Sequence, residues 1–287
     1  MEKSTKKGFA QARRITRQRA KTFYFASRFL PADTQRAACS VYAICRISDD
    51  SVDQVKNDPE KSLDAVKRKI EESYEKRSSL PPLLSAFRHT AKTHRIPKEY
   101  FDILLQGMRM DIEKNRYANF EELREYCYKV AGIVGLIMLQ IFGYTDRSAL
   151  ARAADLGIAM QLTNIIRDVE EDLGRNRVYL PKDEMDHFNV SELDLHERKT
   201  RHNFRELLRY QIRRAREYYL RADAGIALIA DRRSRFVTGV MKELYAGILD
   251  SVEKSNYRVF GQRAHVPLRK KILITSKLWI TKPYDEN

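Results

Sequence analysis

Apolar residues recur at intervals of three and four along almost the whole chain, and no stretch alternates apolar and polar residues convincingly. Intervals of three and four place apolar side chains on one face of an α-helix, whereas a half-buried strand needs a period of two. Several of the 11 glycines and 8 prolines fall where helices should begin or end. No linker, repeat or low-complexity tract divides the sequence. The pattern therefore predicts an all-α protein with a single domain over residues 1–287.

Helix boundaries can be placed in the first half of the chain. Pro31 ends a first helix, because the residue before a proline is driven out of the helical region. Asp33 can cap a second helix that runs through Asp53. Pro97 suits the first turn of a further helix, which continues to about Lys114.

The second half of the chain has similar signals. Asn119 and Glu122 have the spacing of a capping box, before a helix that includes YCYKVAGIVGLIMLQIF. The next helix is predicted to run to about Asp172 and to be followed by the loop GRNRVYLP. Two long helices are then expected near 198–230 and 235–256.

The charge balance narrows the class of partner. There are 54 lysines and arginines against 39 aspartates and glutamates, a formal net charge of +15. Such an excess favours nucleic acid, an acidic membrane surface or a phosphorylated substrate. Residues 1–15 are expected to form a basic, flexible arm, and residues 277–287 a flexible tail.

Cysteine spacing and apolar runs indicate a cytoplasmic protein. Cys39, Cys45 and Cys127 have neither metal-ligand nor disulfide spacing, so they are expected to be reduced thiols. The start of the chain has no apolar core of the kind that secretory signals need. The longest apolar run, 130–143, is shorter than the roughly 18 residues of a spanning helix. We expect a protein that is soluble or lies on the inner face of a membrane without crossing it.

Two segments carry aspartates at helical spacing among apolar residues. One helix face of the first segment carries Tyr42, Arg46, Asp49 and Asp53, with Asp50 beside them. One face of the second carries Gln161, Asn164, Asp168 and Asp172. Buried carboxylates one turn apart repel each other and are costly to desolvate, and Mg²⁺ would compensate because it binds carboxylates together with phosphate oxygens. Either segment alone could be solvated surface, but two such faces could meet across a cavity.

These motifs resemble those of the squalene/phytoene synthase family of head-to-head prenyl synthases. The similarity runs from about Lys21 to Arg263 and includes KTFYFASRFLP, YAICRISDDSVD, the 109–117 region, YCYKVAGIVG and QLTNIIRDVEEDLGRNRVYLP. The resemblance implies a single helical bundle with a central cavity, closed at one end by the two acidic helices. It also implies two DxxxD motifs whose aspartates, assisted by Asn164, bind Mg²⁺, or Mn²⁺ in its place, bridging to prenyl diphosphates.

The resemblance also implies roles for residues around the motifs. The expected catalytic set is Arg46, Asp49, Asp50, Asp53, Tyr126, Arg167, Asp168 and Asp172. The expected substrate-binding set is Thr22, Phe23, Ser27, Tyr42, Val130, Ala131, Val134, Gly135, Gln161, Asn164, Tyr179 and Arg263. Phe23 and Tyr126 could stabilise an allylic cation with their ring faces. The small residues of 130–136 could instead simply allow close helix packing. Glu170 replaces a glycine common in relatives and is expected to point away from the site.

The length of the substrate is a question of pocket volume. Ser27 lies one helical turn from Phe23, and a small residue there would leave room for two C20 chains, which give phytoene. The DDSVD wording is similar to that of enzymes that join two C15 chains into dehydrosqualene, so squalene or dehydrosqualene is the alternative product. NADPH would be needed only for squalene, and no Gly-rich nucleotide-binding loop is present.

Other classes of function stay open at this point. The chain could be an inactive relative that serves as an assembly factor, or a basic helical nucleic-acid-binding protein. Aspartates in buried-looking helices would repel a phosphate backbone, so no nucleic acid is expected. An arginine stripe could be a solvated face or a contact with anionic membrane, and it consists of Arg201, Arg205, Arg209 and Arg213. The sequence does not determine the oligomeric state.

Overall fold

The computed structural model describes residues 1–53, 58–75 and 79–281. Within them the chain forms fifteen α-helices and one π-helical turn, joined by short connections. In chain order these are α1 (Lys3–Arg19), α2 (Lys21–Ser27), α3 (Ala32–Asp53), α4 (Pro59–Tyr74), α5 (Pro82–Thr93), α6 (Lys98–Glu113), α7 (Phe120–Cys127), the π-helical turn (Tyr128–Gly132), α8 (Ile133–Phe142), α9 (Ala149–Arg167), α10 (Val169–Gly174), α11 (Lys182–His187), α12 (Glu192–His196), α13 (His202–Ile226), α14 (Arg232–Lys254) and α15 (Leu268–Thr281). The described residues contain no strand, only two isolated bridges. The all-α, single-domain prediction is confirmed.

Several helix starts follow from local chemistry. Asn119 Oδ1 accepts the backbone N–H of Glu122 at 3.1 Å, as predicted. The Glu122 carboxylate accepts the N–H of Ala118 instead of returning to Asn119, so the capping box is one-sided. Helix α13 begins four residues later than predicted, because Arg198 has a φ of 53° and cannot continue a right-handed helix.

The helix predicted to reach Asp172 is broken at the second acidic motif. α9 ends at Arg167, and Asp168 leaves the helical region with φ −105° and ψ 17°. α10 then carries Asp172 in a separate short helix. Because of this break, Asp172 projects in a different direction from the one that a continuous helix would give it.

Both chain ends differ from the flexible segments that were expected. Residues 3–19 form α1, which packs on α5 so closely that a Cβ on Gly8 would lie 1.8 Å from the carbonyl oxygen of Pro82. Phe9 and Ala12 are buried in this contact. At the other end α15 continues to Thr281, and residues 282–287 lie outside the described residues.

Three apolar clusters support the two acidic motifs. The first joins α1, α3–α6 and α8 around Phe87 and Phe101. The second joins α7, α9 and α13 around Leu162 and Phe204. A third joins α2, α14 and α15 around Phe236. Because α3 contributes to the first and third clusters, and α9 to the second and partly to the others, both motif helices lie at the centre of the bundle.

Two side chains near the first motif keep part of their surface accessible. Cys45 on α3 is partly accessible, although burial raises the pKa of its thiol to about 12. Tyr245 on α14 is likewise partly accessible, although burial raises the pKa of its phenol. The neighbouring helices therefore cover both side chains only in part.

The stretch Phe120–Phe142, which comprises α7, the π-helical turn and α8, is long and apolar enough to cross a membrane by length and composition alone. In the bundle 44% of the most apolar window of this stretch is buried, and Ile133 and Ile137 are fully buried among neighbouring helices. The core therefore accounts for part of its apolar character.

Candidate active site

The first acidic motif lies at the end of α3 and carries its own arginine. Arg46 contacts Asp49 at 3.1 Å and also pairs with Asp50. Burial, and next the charge of Asp53, raise the pKa of Asp49 to about 6. The Arg46 charge lowers this pKa but does not offset those two effects. The motif is therefore short of positive charge despite the arginine one turn away.

Asp53 is held by two arginines from the loop after the second motif. Arg177 donates to its Oδ1 at 2.7 Å, and Arg175 lies 3.3 Å from its Oδ2. Asp53 and Arg177 each expose only 12% of their side chains. This pair, 124 residues apart in sequence, joins the two motifs across the site. Both arginines belong to the segment GRNRVYLP, between the second motif and Tyr179. Neither was predicted to be a site residue.

The second motif is held by arginines from two elements. Asp168 accepts hydrogen bonds from Arg167 Nε at 2.7 Å, and from Arg263 Nε and a terminal guanidinium nitrogen at 2.7 and 2.8 Å. Burial alone would raise the pKa of Asp168, but these hydrogen bonds outweigh it and lower the pKa. Arg263 was expected near the diphosphates, and it lies against the motif.

Asp172, by contrast, lacks sufficient positive charge nearby. Burial, followed by the charge of Asp168, raises the pKa of Asp172 to about 7. On α9, one turn before Asp168, Asn164 donates to Gln161 Oε1 at 3.3 Å, while Asn164 Oδ1 is buried without a hydrogen-bond partner. A buried amide oxygen without a donor, in the same motif as a carboxylate that resists ionisation, is an environment that a cation would complete.

The donor set fits a divalent cation that is shared with a ligand. The described residues contain no group of three or more Asp, Glu, His or Cys side chains close enough to hold an ion alone. Each motif instead offers a pair of carboxylates, and the second adds the Asn164 oxygen. Oxygen ligands in small number, with the rest of the shell left to water and phosphate oxygens, are the ligand set that Mg²⁺ prefers.

The sequence predictions did not include Asp111, a carboxylate on α6 that lies close to Arg177. Asp111 on α6 accepts hydrogen bonds from the hydroxyls of Tyr126 at 2.8 Å and Tyr179 at 2.6 Å. The two rings stack with centroids 5.1 Å apart. Burial raises the pKa of Asp111, and the nearby Arg177 charge partly offsets this effect. The 109–117 region contributed to the family resemblance. No role was predicted for Asp111 itself, because its hydrogen-bond partners lie far away in sequence.

Two aromatic rings lie together beside the helix of the first motif. The rings of Phe23 and Tyr42 lie 5.7 Å apart, and both are partly exposed. Burial raises the pKa of Tyr42 to about 12, so its hydroxyl is a neutral donor near neutral pH. The Thr22 hydroxyl already has a hydrogen-bond partner within the protein, because Thr22 Oγ1 accepts a hydrogen bond from Lys271 of α15 at 2.8 Å.

Comparison with known proteins decides the family. A squalene/phytoene synthase profile matches residues 16–270. The chain belongs to this family. It is 37% identical to a 15-cis-phytoene synthase from Synechocystis sp., over 96% of this chain and 86% of that protein. It is 38% identical to a phytoene synthase from Arthrospira platensis, over 91% and 89% of the two chains. The crystal structure of a dehydrosqualene synthase in complex with ligand superimposes with a TM-score of 0.90, at 29% identity over 97% of each chain.

Membership of the squalene/phytoene synthase family makes the protein a prenyltransferase, and the recognition made from the sequence motifs is confirmed. The DxxxD aspartates, Arg46, Arg167, Asn164 and Gln161 fall where two motif helices present them to one region. Three further residues belong to this constellation and were not predicted, namely Asp111, Arg175 and Arg177.

Two residues predicted to bind substrate take part in packing and hydrogen bonding within the fold. A Cβ on Gly135 would lie 2.2 Å from the carbonyl oxygen of Ala153, so the missing side chain lets α8 and α9 pack closely. Ser27 has no accessible surface, donates to the Tyr24 carbonyl at 2.9 Å and accepts from Gln35 at 3.4 Å. It therefore does not face an open pocket. Val130, Ala131 and Val134 remain partly accessible, and their position on a substrate-binding wall stays a prediction.

Glu170, the departure from the usual glycine, is engaged outside the acidic pairs. Its carboxylate accepts the N–H of Gly261 at 2.6 Å and pairs with Arg198 at 2.9 Å. The Gly261 contact anchors the segment that delivers Arg263 to Asp168. The side chain thus points away from the motif carboxylates, as expected, and supports the site indirectly.

Proposed function

We propose that the chain condenses two molecules of geranylgeranyl diphosphate head to head into phytoene, with release of two diphosphates. The observation that carries the proposal is the pairing of two partly buried DxxxD motifs with arginines at one end of the bundle. The relatives named phytoene synthase cover nearly the whole chain, which favours the C20 substrate.

Asp49, Asp53, Asp168, Asp172 and the Asn164 oxygen would hold Mg²⁺. When bound, Mg²⁺ would act as a Lewis acid that stabilises negative charge on the departing diphosphate. This assignment rests on the raised pKa values of Asp49 and Asp172 and on the unpartnered Asn164 oxygen.

The arginines bind and orient the diphosphates. Arg46, Arg167 and Arg263 each lie within contact distance of a motif carboxylate, so their guanidinium groups point at the region where diphosphate oxygens would lie. Hydrogen bonds from fixed guanidinium groups gain strength as negative charge develops on the leaving group. This preorganisation favours ionisation of the allylic substrate.

The aromatic and apolar wall protects the allylic cation from water. Phe23 and Tyr42 offer ring faces beside the first motif, and Tyr126 is held by Asp111. Burial keeps the Tyr126 phenol protonated, since its pKa is raised well above the usual value. The Tyr126 phenol therefore does not act as a nucleophile, and positive charge would be stabilised by the partly exposed rings of Phe23 and Tyr42.

The test is to incubate purified protein with Mg²⁺ and either the C15 or the C20 prenyl diphosphate, with and without NADPH, and to identify the hydrocarbon by mass. Phytoene from the C20 substrate, independent of NADPH, is the expected result. A C30 product would contradict the substrate assignment and favour the dehydrosqualene alternative, which the structural similarity supports. No product from either substrate would contradict catalysis and favour an assembly factor.

A further inference from the structure

The outer face of α15 is the most apolar surface of the described chain. Nine large hydrophobic side chains are exposed among the described residues, and five of them lie on this one helix of 14 residues. They are Leu268, Ile272, Leu273, Trp279 and Ile280, with exposed fractions from 52% to 76%. Exposed apolar patches of this kind mark interaction sites.

The opposite face of α15 explains why the helix is held in place. Ile274 and Leu278 pack into the apolar cluster of α2 and α14, and Lys271 donates to Thr22. Trp279 rests one edge of its ring on Phe236, with centroids 5.2 Å apart, while most of the indole stays exposed. The helix is therefore docked through one face and presents the other outward.

Charge indicates what covers the outward face. The α15 sequence contains Arg269, Lys270, Lys271 and Lys277 and no acidic residue. Arg269 and Lys277 are exposed and form no ion pair within 1–53, 58–75 and 79–281. A helix that exposes leucine, isoleucine and tryptophan together with lysine and arginine, whose long side chains can reach the headgroups, is suited to lie in the headgroup region of an anionic bilayer.

Two of the four arginines in the α13 stripe are already paired within the protein. Arg201 pairs with Asp194 at 2.9 Å, and Arg209 pairs with Glu206 and donates to Tyr257 at 3.2 Å. Arginines that are already paired gain less from lipid phosphates. The membrane contact expected of that stripe is better suited to α15.

We propose that α15 is a membrane-docking helix, which lies flat on an anionic lipid surface with Leu268, Ile272, Leu273, Trp279 and Ile280 inserted among the acyl chains. Arg269 and Lys277 contact lipid phosphates. The surface is distinct from the acidic motifs, so docking does not depend on the reaction that the enzyme performs.

Trp279 makes the proposal directly measurable, because it is the only tryptophan of the sequence. Full-length protein is mixed with vesicles of equal parts phosphatidylglycerol and phosphatidylcholine, and binding is followed by co-sedimentation. The tryptophan emission should shift to shorter wavelength and be quenched by lipids brominated on their acyl chains. Vesicles of phosphatidylcholine alone should bind at least about tenfold more weakly.

Two double variants separate the apolar and charged contributions. Leu273→Gln with Ile280→Gln, and Arg269→Glu with Lys277→Glu, should each weaken binding to the anionic vesicles at least about tenfold. Leu193→Gln with Leu220→Gln changes exposed leucines elsewhere and should leave binding unchanged. Circular dichroism and the unfolding temperature verify that each variant is folded.

Three outcomes would overturn the proposal. Undiminished binding by the folded α15 variants would show that this helix does not dock. Loss of binding by Arg201→Glu with Arg209→Glu, without loss in the α15 variants, would place the contact on α13. A vesicle-independent dimer, detected by light scattering and abolished by Leu273→Gln with Ile280→Gln, would show that a second copy covers the face.

Discussion

At the scale of single residues, the four motif aspartates differ in how well neighbouring arginines compensate their charge. Asp53 and Asp168 each accept hydrogen bonds from arginines. Asp49, even with Arg46 at 3.1 Å, and Asp172 have pKa values raised to about 6 and 7, primarily by burial. The arginines thus compensate part of the repulsion between the acidic groups, and a bound cation would compensate the rest. Arg177 has a central position because it contacts Asp53 and lies next to Asp111.

Arg177→Gln should lower kcat/KM about 10–100-fold and raise the Mg²⁺ concentration needed for half-maximal rate, because Asp53 loses its orienting partner. The matched control is Arg175→Gln, since Arg175 is 43% exposed and lies farther from Asp53, at 3.3 Å. The measurement is the initial rate against Mg²⁺ concentration. Equal effects of the two substitutions would show that Arg177 has no special role.

The raised pKa of Asp172 predicts a pH-dependent stability. An aspartate whose pKa is higher in the folded than in the unfolded state binds its proton more tightly when folded. Its stabilising contribution is therefore present below about pH 4 and is lost as pH rises through about 7. Without divalent cation, Asp172→Asn should make the protein more stable than wild type at pH 8, by on the order of 2 kcal/mol.

This is measured as the difference in unfolding temperature between wild type and Asp172→Asn from pH 5 to pH 8 in chelator. The difference should grow with pH and shrink when Mg²⁺ is added to the wild type, because the cation stabilises the ionised carboxylate. Asp186→Asn, a change at an exposed aspartate, is the control. A difference that does not vary with pH would contradict the assignment.

At the scale of elements, the site depends on how closely helices approach and where they break. The break at Asp168 separates α9 from α10 and turns Asp172 relative to Asn164. Gly135 and Gly157 bring the backbones of α8, the π-helical turn and α9 together, since a Cβ on either would lie 2.2 Å from a carbonyl oxygen of the facing segment. These glycines set the distance between the wall and the second motif.

Gly135→Ala should lower the free energy of unfolding by about 1–3 kcal/mol, because the added methyl group overpacks the contact with Ala153. The control is Gly174→Ala, where a Cβ would meet no atom within 4 Å. That change should be neutral or slightly stabilising, because alanine restricts the unfolded chain. Urea denaturation of both variants provides the comparison, and equal stability of the two would contradict the packing role.

At the scale of the whole molecule, the room that several helices leave together would decide which prenyl chain fits. Phe23 on α2, Tyr42 on α3 and Tyr245 on α14 are partly accessible side chains from three different helices. Ser27 lies on the same short helix as Phe23 but is fully buried between α2 and α3. Substrate length therefore cannot be inferred from the volume of Ser27 alone.

Ser27→Ala should leave the ratio of C20 to C15 turnover unchanged and should lower the free energy of unfolding by about 1 kcal/mol, through loss of its hydrogen bonds. Phe23→Ala, which removes a partly accessible ring, should change that ratio. Competition between the two substrates, with products identified by mass, gives the measurement. A changed ratio in Ser27→Ala would restore the serine as a determinant of length.

The sequence alone determined the helical class, the two DxxxD motifs and the family, because apolar periodicity and motif spacing are local properties of the chain. Only the tertiary structure showed that Arg177 and Asp53, 124 residues apart, pair across the site, and that Tyr179 bonds to Asp111, 68 residues away. It also showed that Ser27 is fully buried and that α15 exposes its apolar side chains. These features depend on which elements meet, and burial decides both the protonation of a carboxylate and the accessibility of a side chain.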